Sequence, residues 1–517
     1  MNFHPCFSPE TWALIVVLLV LLLLYGIWPY NFFKKLGIPG PRPLPFVGTF
    51  LEYRHGVIHF DVKCHQKYGK IWGIFDGRQP LLAILDPVTI KTILVKEFYT
   101  NFTNRRNNGL TGDLEASVFL APDDKWKRIR TVLSPTFTSG RLKEMLPIIN
   151  HYGEILVKNI QKEVENNEPI DMKALFAVYS LDAMTSVSFS IDIDSINHSN
   201  DPFIKNLKKL ATVTFENPLL LLAVVFPFLT PLLEKLNITL IPSSVLDFFT
   251  AVVKKIKNDR GKNKHTERVD FLQLMLEAQN SGDVSDGTNS YKALTDKEIS
   301  MQAVTFIFGS FETISNALNF LSYSLATHPD VQQKLQDEID KILPNQAPPT
   351  YDAITQMEYL DMVINENLRL FPPAGRIDRV CKNTVEINGM TIPKGTVLMI
   401  PVFVLHRLPE YWSEPEEFRP ERFSKENKEN IDPYIFLPFG AGPRICIGMR
   451  FALQALKVAT VILLQKFSFR TCEETPIPLE FISQVFLIPK KPIKLKFVPR
   501  MVTGSEEQKN GKPQRGQ

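Results

Sequence analysis

A single cysteine, Cys446, lies in a glycine-rich stretch near the C-terminus, within the sequence PFGAGPRICIGMRFAL (Pro438–Leu453). Glycines at this density allow backbone angles and close approaches that other residues do not. Amide groups exposed by the glycines, the cation of Arg444 and the N-terminus of the helix that should follow would each stabilise an anionic sulfur. The stretch therefore predicts a thiolate with a chemical role.

Three kinds of site could be built around such a cysteine. A nucleophilic cysteine needs a nearby base, but the nearest histidines in sequence, His406 and His328, do not lie in a recognisable catalytic pattern. A phosphate-binding loop needs G-x-x-x-x-G-K-[ST], and no Lys-Ser or Lys-Thr pair follows these glycines. A haem thiolate needs one cysteine, apolar walls and a few cations for the propionates. The third kind of site fits the sequence.

An acid and an alcohol, Glu312 and Thr313, stand side by side inside an otherwise apolar helical pattern. The helix is predicted over Thr295–Ala326, and Thr295 with Glu298 forms a capping-box pattern at its start. At 1.5 Å per residue this helix would be roughly 48 Å long, enough to cross a whole domain. Carboxylates in apolar surroundings are rare unless they are paired or functional. A solvent-facing glutamate is the ordinary alternative, and the flanking FIFGSF sequence disfavours it.

Two further stretches supply a carboxylate and two arginines. Glu366 and Arg369 are spaced so that both would lie on one face of a helix. Arg422 follows in the loop Pro420–Phe423. A glutamate between two arginines would form a charge-assisted, bidentate clamp. Taken alone, two unrelated surface pairs explain these residues equally well.

Mostly helical elements must hold these residues in place. Most of the chain has helical periodicity, with a minority of strand-like runs bounded by glycine and proline. The predicted helices are 142–165, 203–215, 243–257, 271–279, 295–326, 331–342, 359–370 and 448–465, and the predicted strands are 70–75, 80–84, 384–387 and 396–400. Asn388-Gly389 is a strong signal for a hairpin turn. The sequence therefore predicts a mainly α fold with a minor β part.

The first thirty residues predict a membrane anchor. Trp12–Ile27 carries no charge, and extended to Tyr30 it is about as long as a bilayer-crossing helix, roughly 20 residues. A cleaved signal peptide would begin with a basic region, but the first basic residues, Lys34 and Lys35, follow the apolar run. The positive-inside rule then places the body of the chain in the cytosol.

A second apolar run, Leu219–Leu233, is interrupted by two prolines. It is too short and too broken to make a good membrane span. It is expected either to contact the membrane surface or to join the core. Membrane contact is favoured, because a tethered domain has an interface to use.

Charge and cysteine content exclude several classes of protein. The net charge of the 517 residues is +4, too small an excess of basic residues to indicate a nucleic-acid partner. The five cysteines contain no C-x-x-C pair, which argues against a disulfide framework and against a zinc ribbon. Such cysteine usage fits a reducing compartment.

Four motifs in this order resemble the cytochrome P450 family of haem-thiolate monooxygenases. They are Gly309–Thr313, Glu366–Arg369, Pro420–Phe423 and Phe439–Gly448, the last with the spacing F-x-x-G-x-R-x-C-x-G. Each motif alone is weak, but the ordered set is very specific, and the resemblance covers nearly the whole chain. Wider stretches such as Leu133–Pro147 are similar to the vertebrate family-3 microsomal branch, and the set as a whole is subfamily A-like. That branch oxidises steroids, drugs and other bulky lipophilic compounds.

The resemblance implies a cytochrome P450 fold, mainly α with a minor β part, and a single N-terminal transmembrane helix. It divides the chain into an anchor (1–30), a basic, proline-rich linker (31–48), a catalytic domain (49–500) and a polar tail (501–517) expected to be disordered. The implied enzyme inserts one oxygen atom of O2 into steroids, drugs or other xenobiotics with haem b (iron protoporphyrin IX) as cofactor. Its electrons would come from NADPH through the flavins of NADPH–cytochrome P450 reductase, with cytochrome b5 as an additional partner. The implied location is the endoplasmic reticulum membrane, with the catalytic domain facing the cytosol.

The resemblance also implies roles for individual residues. Cys446 would be the axial ligand of the haem iron, and Phe439 would shield its sulfur. Glu312 and Thr313 would relay protons to iron-bound dioxygen. The residues implied to grip the haem propionates are Arg105, Trp126, Arg130, Arg379 and Arg444. The residues implied to form a structural clamp are Glu366, Arg369 and Arg422. The residues implied to line the substrate pocket are Phe119, Leu120, Phe215, Phe308, Gly309, Ala374 and Phe486, with Arg376 as a polar contact.

Two residues depart from the family pattern, and two other functions stay open. Ser310 stands where glycine is usual, and Ile314 removes one relay hydroxyl that the pattern often has. A haem-binding sensor or carrier without turnover is one alternative, and an isomerase of the same fold that needs no reductase is another. The Glu312-Thr313 pair argues against both, since neither needs a proton relay.

Overall fold

The computed structural model of the chain describes residues 8–107, 109–195, 198, 201–211, 217–262, 270–281, 293–483 and 486–500. The predicted tail, 501–517, lies outside these residues. Helices dominate the described part, and short strands gather in four small sheets.

The helices alternate between long ones that cross the fold and single turns that connect them. The helices of the N-terminal half are α1 (Pro9–Ile27), α2 (Phe32–Lys35), α3 (Val57–Tyr68), α4 (Pro87–Lys91), α5 (Phe98–Asn101), α6 (Asp123–Leu133), α7 (Ser139–Glu165), α8 (Met172–Phe189), α9 (Pro202–Ala211), α10 (Pro218–Val225), α11 (Thr230–Lys235) and α12 (Ser243–Lys262). Those of the C-terminal half are α13 (Phe271–Ser281), α14 (Asp296–Thr327), α15 (Pro329–Ile342), α16 (Tyr351–Gln356), α17 (Glu358–Leu370), α18 (Val402–Leu405), α19 (Lys425–Lys428) and α20 (Met449–Lys466).

The strands form one four-stranded sheet and three smaller ones. They are β1 (Ile71–Asp76), β2 (Gln79–Ile84), β3 (Ile170–Asp171), β4 (Arg376–Val380), β5 (Val385–Ile387), β6 (Met390–Ile392), β7 (Val397–Pro401), β8 (Phe467–Arg470), β9 (Phe481–Ser483), β10 (Leu487–Pro489) and β11 (Lys494–Pro499). The four-stranded sheet has the order β1-β2-β7-β4, in which β2 and β7 are parallel and the other pairs antiparallel. The others are β3-β11-β8, β5-β6 and β9-β10.

The predicted elements are present where the sequence has a clear period or turn signal. All eight predicted helices and four predicted strands have counterparts, although the end of the helix predicted over 203–215 lies outside the described residues beyond Ala211. Asn388 and Gly389 have φ values of 51° and 76°, the two positive values of the hairpin turn expected between β5 and β6. The capping box at the start of α14 is formed: Thr295 and Glu298 exchange side-chain to backbone hydrogen bonds of 3.2 and 2.9 Å.

The long helix α14 runs through the larger of two hydrophobic cores. It packs along α8 and against α20, and its residues from Ile314 to Ala326 are almost all buried. The second core surrounds the four-stranded sheet and α3. Met362 and Phe436 contact both cores, and Phe436 lies just before the cysteine loop. The loop is therefore placed where the two cores meet.

Helix α8 has no counterpart among the predicted elements. Its second half, from Tyr179 to Phe189, is buried throughout, so the stretch lacks the alternation between apolar and polar residues that marks a surface helix. The structure shows that this helix is the main packing partner of α14.

The N-terminal anchor is fixed to the body of the protein at its base. One continuous helical stretch in the described residues, Pro9–Lys35, is long and apolar enough to cross a membrane. The Arg78 guanidinium lies 3.6 Å from the centre of the Tyr25 ring. The Phe46 N–H donates to the Gly26 carbonyl at 3.2 Å, and a Cβ on Gly26 would lie 2.9 Å from the Phe46 ring. The glycine therefore permits a close contact between anchor and body.

Candidate active site

The cysteine loop is shaped by two glycines in a conformation that strains other residues. Gly440 and Gly442 have φ values of 76° and 72°. A Cβ on Gly442 would lie 1.8 Å from the Leu94 carbonyl oxygen, so the loop packs directly on neighbouring backbone. The Cys446 N–H donates to the Phe439 carbonyl at 2.9 Å, which closes the turn before α20 begins.

Cys446 lies deep in the protein but has an accessible surface of its own, so it faces an internal opening. Burial raises the pKa of the thiol, while a hydrogen bond from the Gly448 backbone and the charges of Arg130 and Arg105 partly offset that rise. The protein alone thus favours the neutral thiol, and a thiolate needs a further positive charge at the sulfur.

The sequence predicts Arg444 as the cation that stabilises the sulfur, and the structure corrects this. Arg444 donates instead to the Phe119 and Ala121 carbonyls, at 3.2 and 2.5 Å. Arg130 and Arg105 are the cations that act on Cys446. Arg444 therefore helps to fix the neighbouring loop and belongs to the wider cluster of arginines.

Four arginines from four different segments converge beside the cysteine loop. They are Arg105, Arg130, Arg379 and Arg444. Burial, followed by repulsion from Arg105, lowers the pKa of both Arg379 and Arg444 to about 9. The Nε atoms of Arg105, Arg379 and Arg444 are buried and have no hydrogen-bond partner. Because buried cations in folded proteins are normally paired, this cluster fits a ligand that brings carboxylates.

The donor atoms at the site fit haem better than a bare metal ion. No group of three or more His, Cys, Asp or Glu side chains that could hold a metal exists in the described residues, so the sulfur would be a lone protein ligand. A macrocycle that supplies its own nitrogen donors needs only a few axial ligands from the protein. The centre of the Trp126 ring lies 4.6 Å from the Arg444 guanidinium, which adds an apolar face beside the arginines. A Cβ on Gly309 or on Gly448 would meet no atom within 4 Å, so both border open space.

A buried clamp links α17 to the loop that contains Pro420–Phe423. Arg369 donates to both carboxylate oxygens of Glu366, at 2.7 and 2.8 Å, and both side chains are fully buried. Arg422 donates to Glu366 at 3.2 Å. The Arg419 N–H adds a fourth donor at 2.9 Å. A buried carboxylate that accepts this many hydrogen bonds is well satisfied, so removal of one partner would leave an uncompensated charge.

His406 connects this clamp to the cysteine loop, a role that sequence reasoning missed. Its Nδ1 lies 3.1 Å from the Arg369 carbonyl, and its Nε2 accepts from the Leu437 N–H at 2.8 Å. Burial lowers the pKa of His406 to about 3, so the imidazole is neutral, with Nδ1 as its donor. Leu437 lies two residues before Phe439, at the entry to the loop. His406 therefore fixes where that loop leaves the core.

Glu312 in the middle of α14 is paired rather than solvated. Its Oε1 lies 3.1 Å from Lys173 Nζ on α8 and accepts from Asn316 Nδ2, also at 3.1 Å. Lys173 donates in addition to Ser315 Oγ at 2.7 Å. Burial lowers the pKa of Lys173, and the charge of Glu312 opposes that shift. Asn316 lies four residues after Glu312, so the sequence alone could have indicated this partner on the same face of the helix. Lys173 lies in α8, whose sequence shows no helical period, and sequence reasoning missed it.

The hydroxyl groups beside Glu312 bond to the backbone of their own helix. Thr313 Oγ1 donates to the Gly309 carbonyl at 2.6 Å, so its oxygen remains able to accept. Ser310 Oγ donates to the Phe306 carbonyl at 2.8 Å. Ser310, which replaces the glycine usual in the family, thus adds no free hydrogen-bond donor to the site. Helix α14 continues without a break at this residue.

Three of the residues expected to line the substrate pocket lie close together. The rings of Phe308 and Phe486 have centroids 6.3 Å apart. Ala374 pairs with Phe486 in an isolated β-bridge. The structure thus joins α14 to the segments before β4 and β10 in one apolar wall.

The other expected pocket residues are placed differently. Phe119 is largely exposed, with its ring 4.6 Å from the Arg105 guanidinium, and Leu120 beside it is half-buried. Phe215 lies outside the described residues.

Arg376 is occupied by protein partners. It donates to both oxygens of Asp61, at 2.7 and 2.6 Å, and to the Tyr53 hydroxyl at 3.0 Å. Burial opposes the charge of this guanidinium, but the Asp61 carboxylate outweighs that effect and raises the pKa of Arg376. The side chain therefore braces β4 against α3, and a contact with substrate would require this pair to open.

Comparison with known proteins supplies independent evidence about the family. The family model for Cytochrome P450 matches residues 38–497. Cytochrome P450 3A9 of Rattus norvegicus is 58% identical over 500 residues, which cover 97% of this chain and 99% of that protein. Cytochrome P450 3A29 of Sus scrofa is 57% identical over 500 residues, with the same coverage. Cytochrome P450 3A7 of Homo sapiens is 56% identical over 505 residues, which cover 98% of this chain and 100% of that protein.

The matched range extends over nearly the whole chain and contains the cysteine loop and the four buried arginines. The fold is mainly α with small sheets, and it carries one N-terminal helix long enough to span a membrane. Members of the family bind haem, work with a redox partner and act on small molecules. The chain therefore belongs to the cytochrome P450 family and is a haem-thiolate monooxygenase.

Proposed function

We propose that the protein inserts one atom of O2 into bulky lipophilic substrates, such as steroids, drugs and other xenobiotics. The observation that carries this proposal is the aromatic wall formed by Phe308 and Phe486 beside Ala374, since large apolar ligands bind in pockets lined by such side chains. The residues that would extend this wall are Phe119, Leu120, Gly309 and Phe215. Arg376 would reach substrate only after release from Asp61.

Two sets of residues would hold haem b, one at the iron and one at the propionates. Cys446 would bind the iron, with Phe439 packed near the sulfur. When bound, the haem supplies the oxygen-activating redox chemistry, and electron donation from the thiolate favours O–O cleavage. The side chains that would receive the propionates are Arg105, Arg130, Arg379 and Arg444, with Trp126 beside them.

The buried clamp would act as a brace for this region. Glu366, Arg369 and Arg422 satisfy one another's charges inside the protein. They are joined to the cysteine loop through His406, which bonds to the Arg369 carbonyl and to the Leu437 N–H. The clamp would therefore hold the loop in position and take no part in the chemistry.

Proton delivery would begin at Glu312. Lys173 and Asn316 both contact Oε1, which orients the carboxylate on α14. The Lys173 side chain is 26% exposed, so it connects the carboxylate to solvent. Thr313 Oγ1 can accept a hydrogen bond while it donates its own hydrogen to the Gly309 carbonyl, and it would pass a proton on when that bond to the carbonyl breaks. The pair would therefore move protons from the α8 side of the helix toward the reacting oxygen.

The protein would work in the endoplasmic reticulum membrane, with residues 1–30 as anchor, 31–48 as linker, 49–500 as the catalytic domain in the cytosol and 501–517 as a tail. Helix α10 and residues 227–235 form a bent apolar pair at 104°. Phe228 in this pair is 62% exposed, and its ring lies 6.0 Å from that of Tyr25 at the base of the anchor. This neighbourhood supports membrane contact for Leu219–Leu233.

Electrons would come from NADPH through the flavins of NADPH–cytochrome P450 reductase, with cytochrome b5 as a second partner. The test is reconstitution of the full chain with reductase and NADPH against a panel of lipophilic compounds, with product identification. Substrate-dependent NADPH consumption and oxygenated products are expected. Haem binding without turnover of any compound would favour a sensor or carrier, and product formation without reductase would favour an isomerase.

The ligand assignment has a separate test. The ferrous carbon monoxide complex should show the Soret band of a thiolate-bound haem, and Cys446→Ala should lose it. A thiolate band that persists in Cys446→Ala would contradict the assignment.

A further inference from the structure

A groove lies at the base of the anchor, far from the cysteine loop in sequence. Its walls include Trp28, Asn31, Phe32 and Lys35 on one side and Pro393 on the other, and it is an open groove with a volume of about 260 Å³. We call it the foot groove. The first four residues directly follow α1, whereas Pro393 lies in the connection between β6 and β7. The groove is therefore built jointly by the anchor and the body of the protein.

The proposed membrane location would place the foot groove at the depth of the membrane surface. α1 ends at Ile27, and the groove begins with the next residue. Trp28 is 79% exposed, and tryptophan at the end of a span is typical of the headgroup region of a bilayer. The contacts of Tyr25 with Arg78 and of Gly26 with Phe46 hold anchor and body together, so the two sides of the groove keep their spacing.

The surroundings of the foot groove carry uncompensated positive charge. Lys35 forms part of its wall, Lys34 precedes it, and Lys394 follows the wall residue Pro393. Within the described ranges none of these three lysines forms an ion pair. Residues 11–51 contain no acidic residue. The cytosolic leaflet presents anionic headgroups, so this charge is complementary to the surface against which the groove would lie.

We propose that the foot groove binds one anionic phospholipid of the cytosolic leaflet. The phosphodiester contacts Lys35 and Asn31, and the glycerol and the first acyl carbons lie against Trp28 and Phe32. The volume of about 260 Å³ is below the roughly 300 Å³ of pockets that enclose a drug-sized molecule, so it suits a headgroup and not a whole lipid. Lys394, which follows the wall residue Pro393, disfavours headgroups that carry a choline cation. This inference rests on the proposed membrane location and does not depend on the substrate or the electron donor.

Two adjacent lysines give a matched test. The full-length haem-loaded chain is reconstituted into phosphatidylcholine nanodiscs that contain a minority of phosphatidylserine, and retained lipid is measured by native mass spectrometry. The natural chain and Lys34→Gln are expected to retain one phosphatidylserine per chain, whereas Lys35→Gln retains it at least about fivefold less often. Both variants remove one charge on the cytosolic side of the span, so general attraction to the membrane and insertion topology change equally.

The same nanodiscs distinguish a lipid site from general attraction and from a free-anion site. Equal loss in the two variants, or no loss in Lys35→Gln, would overturn the groove as a site. Displacement of the phosphatidylserine by soluble inorganic phosphate would also overturn the proposal, because it would indicate a free-anion site. Photoactivatable phosphatidylserine should label peptides that contain Trp28–Leu36 or Pro393, and labelling elsewhere would contradict it. The ferrous carbon monoxide spectrum, expected to be unchanged in both variants, reports the active site separately from the lipid result.

Discussion

The acid at the centre of α14 has a partner on a different helix, and this pairing decides how it can handle a proton. Lys173 on α8 and Asn316 on α14 both contact Oε1 of Glu312. A nearby cation and a hydrogen-bond donor both stabilise a carboxylate. Lys173 is partly exposed, so it would also place the outer end of the proposed relay near water.

Replacement of Lys173 should therefore uncouple the enzyme. In Lys173→Met the Glu312 carboxylate loses its cation, and we expect product formed per NADPH to fall about fivefold to tenfold, an effect of about 1 kcal/mol on the proton-transfer step. Lys173→Arg should retain most of the coupling. The measurements are product and peroxide yields, together with the solvent isotope effect on turnover. An unchanged isotope effect and product yield in Lys173→Met would show that protons reach the site by another route.

Replacement of one buried arginine should stabilise the haem-free chain but weaken haem binding in the loaded enzyme. Arg379 is buried, and Arg105 and Arg444 repel it, so its pKa is lowered to about 9. In the haem-free chain Arg379→Met should raise the melting temperature, since one of several repelling charges is removed. In the loaded enzyme the same change removes a proposed propionate partner and should accelerate haem transfer to an acceptor protein several-fold. A loss of stability in both forms would argue against mutual repulsion.

At the scale of elements, His406 joins α17 to the cysteine loop. It bonds to the Arg369 carbonyl on one side and to the Leu437 N–H on the other. A neutral imidazole is required for both bonds, because Nε2 must accept. The position of the cysteine loop thus depends on the protonation state of a side chain that lies 31 residues before Leu437.

The low pKa of His406 predicts how the folding stability changes with pH. The ordinary pKa is 6.5 and burial lowers it to about 3, so between these values the unfolded chain binds a proton that the folded chain does not. Folding stability is therefore lost as the pH falls from 6.5 toward 3. His406→Gln has no titratable group at this position, so its stability does not depend on this protonation. Its melting temperature should therefore approach or exceed that of the natural chain as the pH is lowered through this window. Melting temperatures that stay a constant distance apart at all pH values would contradict the assignment.

The elements that the sequence reveals are those with one polar face or a clear end signal. α7 and α17 each have one buried and one exposed side, so their period is visible. α14 is mostly buried, but its capping box marks where it begins. α8 has neither feature, and the lysine that it brings to Glu312 was missed with it. β4 carries two arginines and an aspartate, which obscured its strand pattern.

The site was readable only where its residues are neighbours in sequence. Glu366 and Arg369 are three positions apart, and the glycines around Cys446 are local. The four buried arginines come from separate segments, so only the fold or a family resemblance could bring them together. The pairing of Arg376 with Asp61 joins residues 315 positions apart, and no local pattern announces it.

At the scale of the whole molecule, the angle between the anchor helix and the body of the protein depends in part on one close contact. Gly26 lies against the Phe46 ring, and a Cβ there would come within 2.9 Å of it. Because no residue is smaller than glycine, any substitution at this position requires the Phe46 ring or the anchor to move.

Gly26→Leu should therefore change how the enzyme meets the membrane-bound reductase that we propose as its electron donor. Turnover supported by the reductase is expected to fall several-fold. The dithionite-reduced carbon monoxide spectrum should stay unchanged, because the nearest atoms to a Cβ on Gly26 all belong to Phe46 and to no residue of the proposed haem site. Ile27→Leu, at the neighbouring exposed position, is the matched control and should behave like the natural chain. Equal turnover in Gly26→Leu and the natural chain would show that the anchor contact does not set the orientation.

The repelling arginines beside the cysteine also bear on the life of the protein in a cell. A ligand that binds the folded chain but not the unfolded one shifts the balance toward folding. Newly made chains that wait for haem would hold several mutually repelling arginines in their interior, only partly offset by Asp378, and would open more often to proteases. The abundance of this enzyme would then follow the supply of haem as well as the rate of its synthesis.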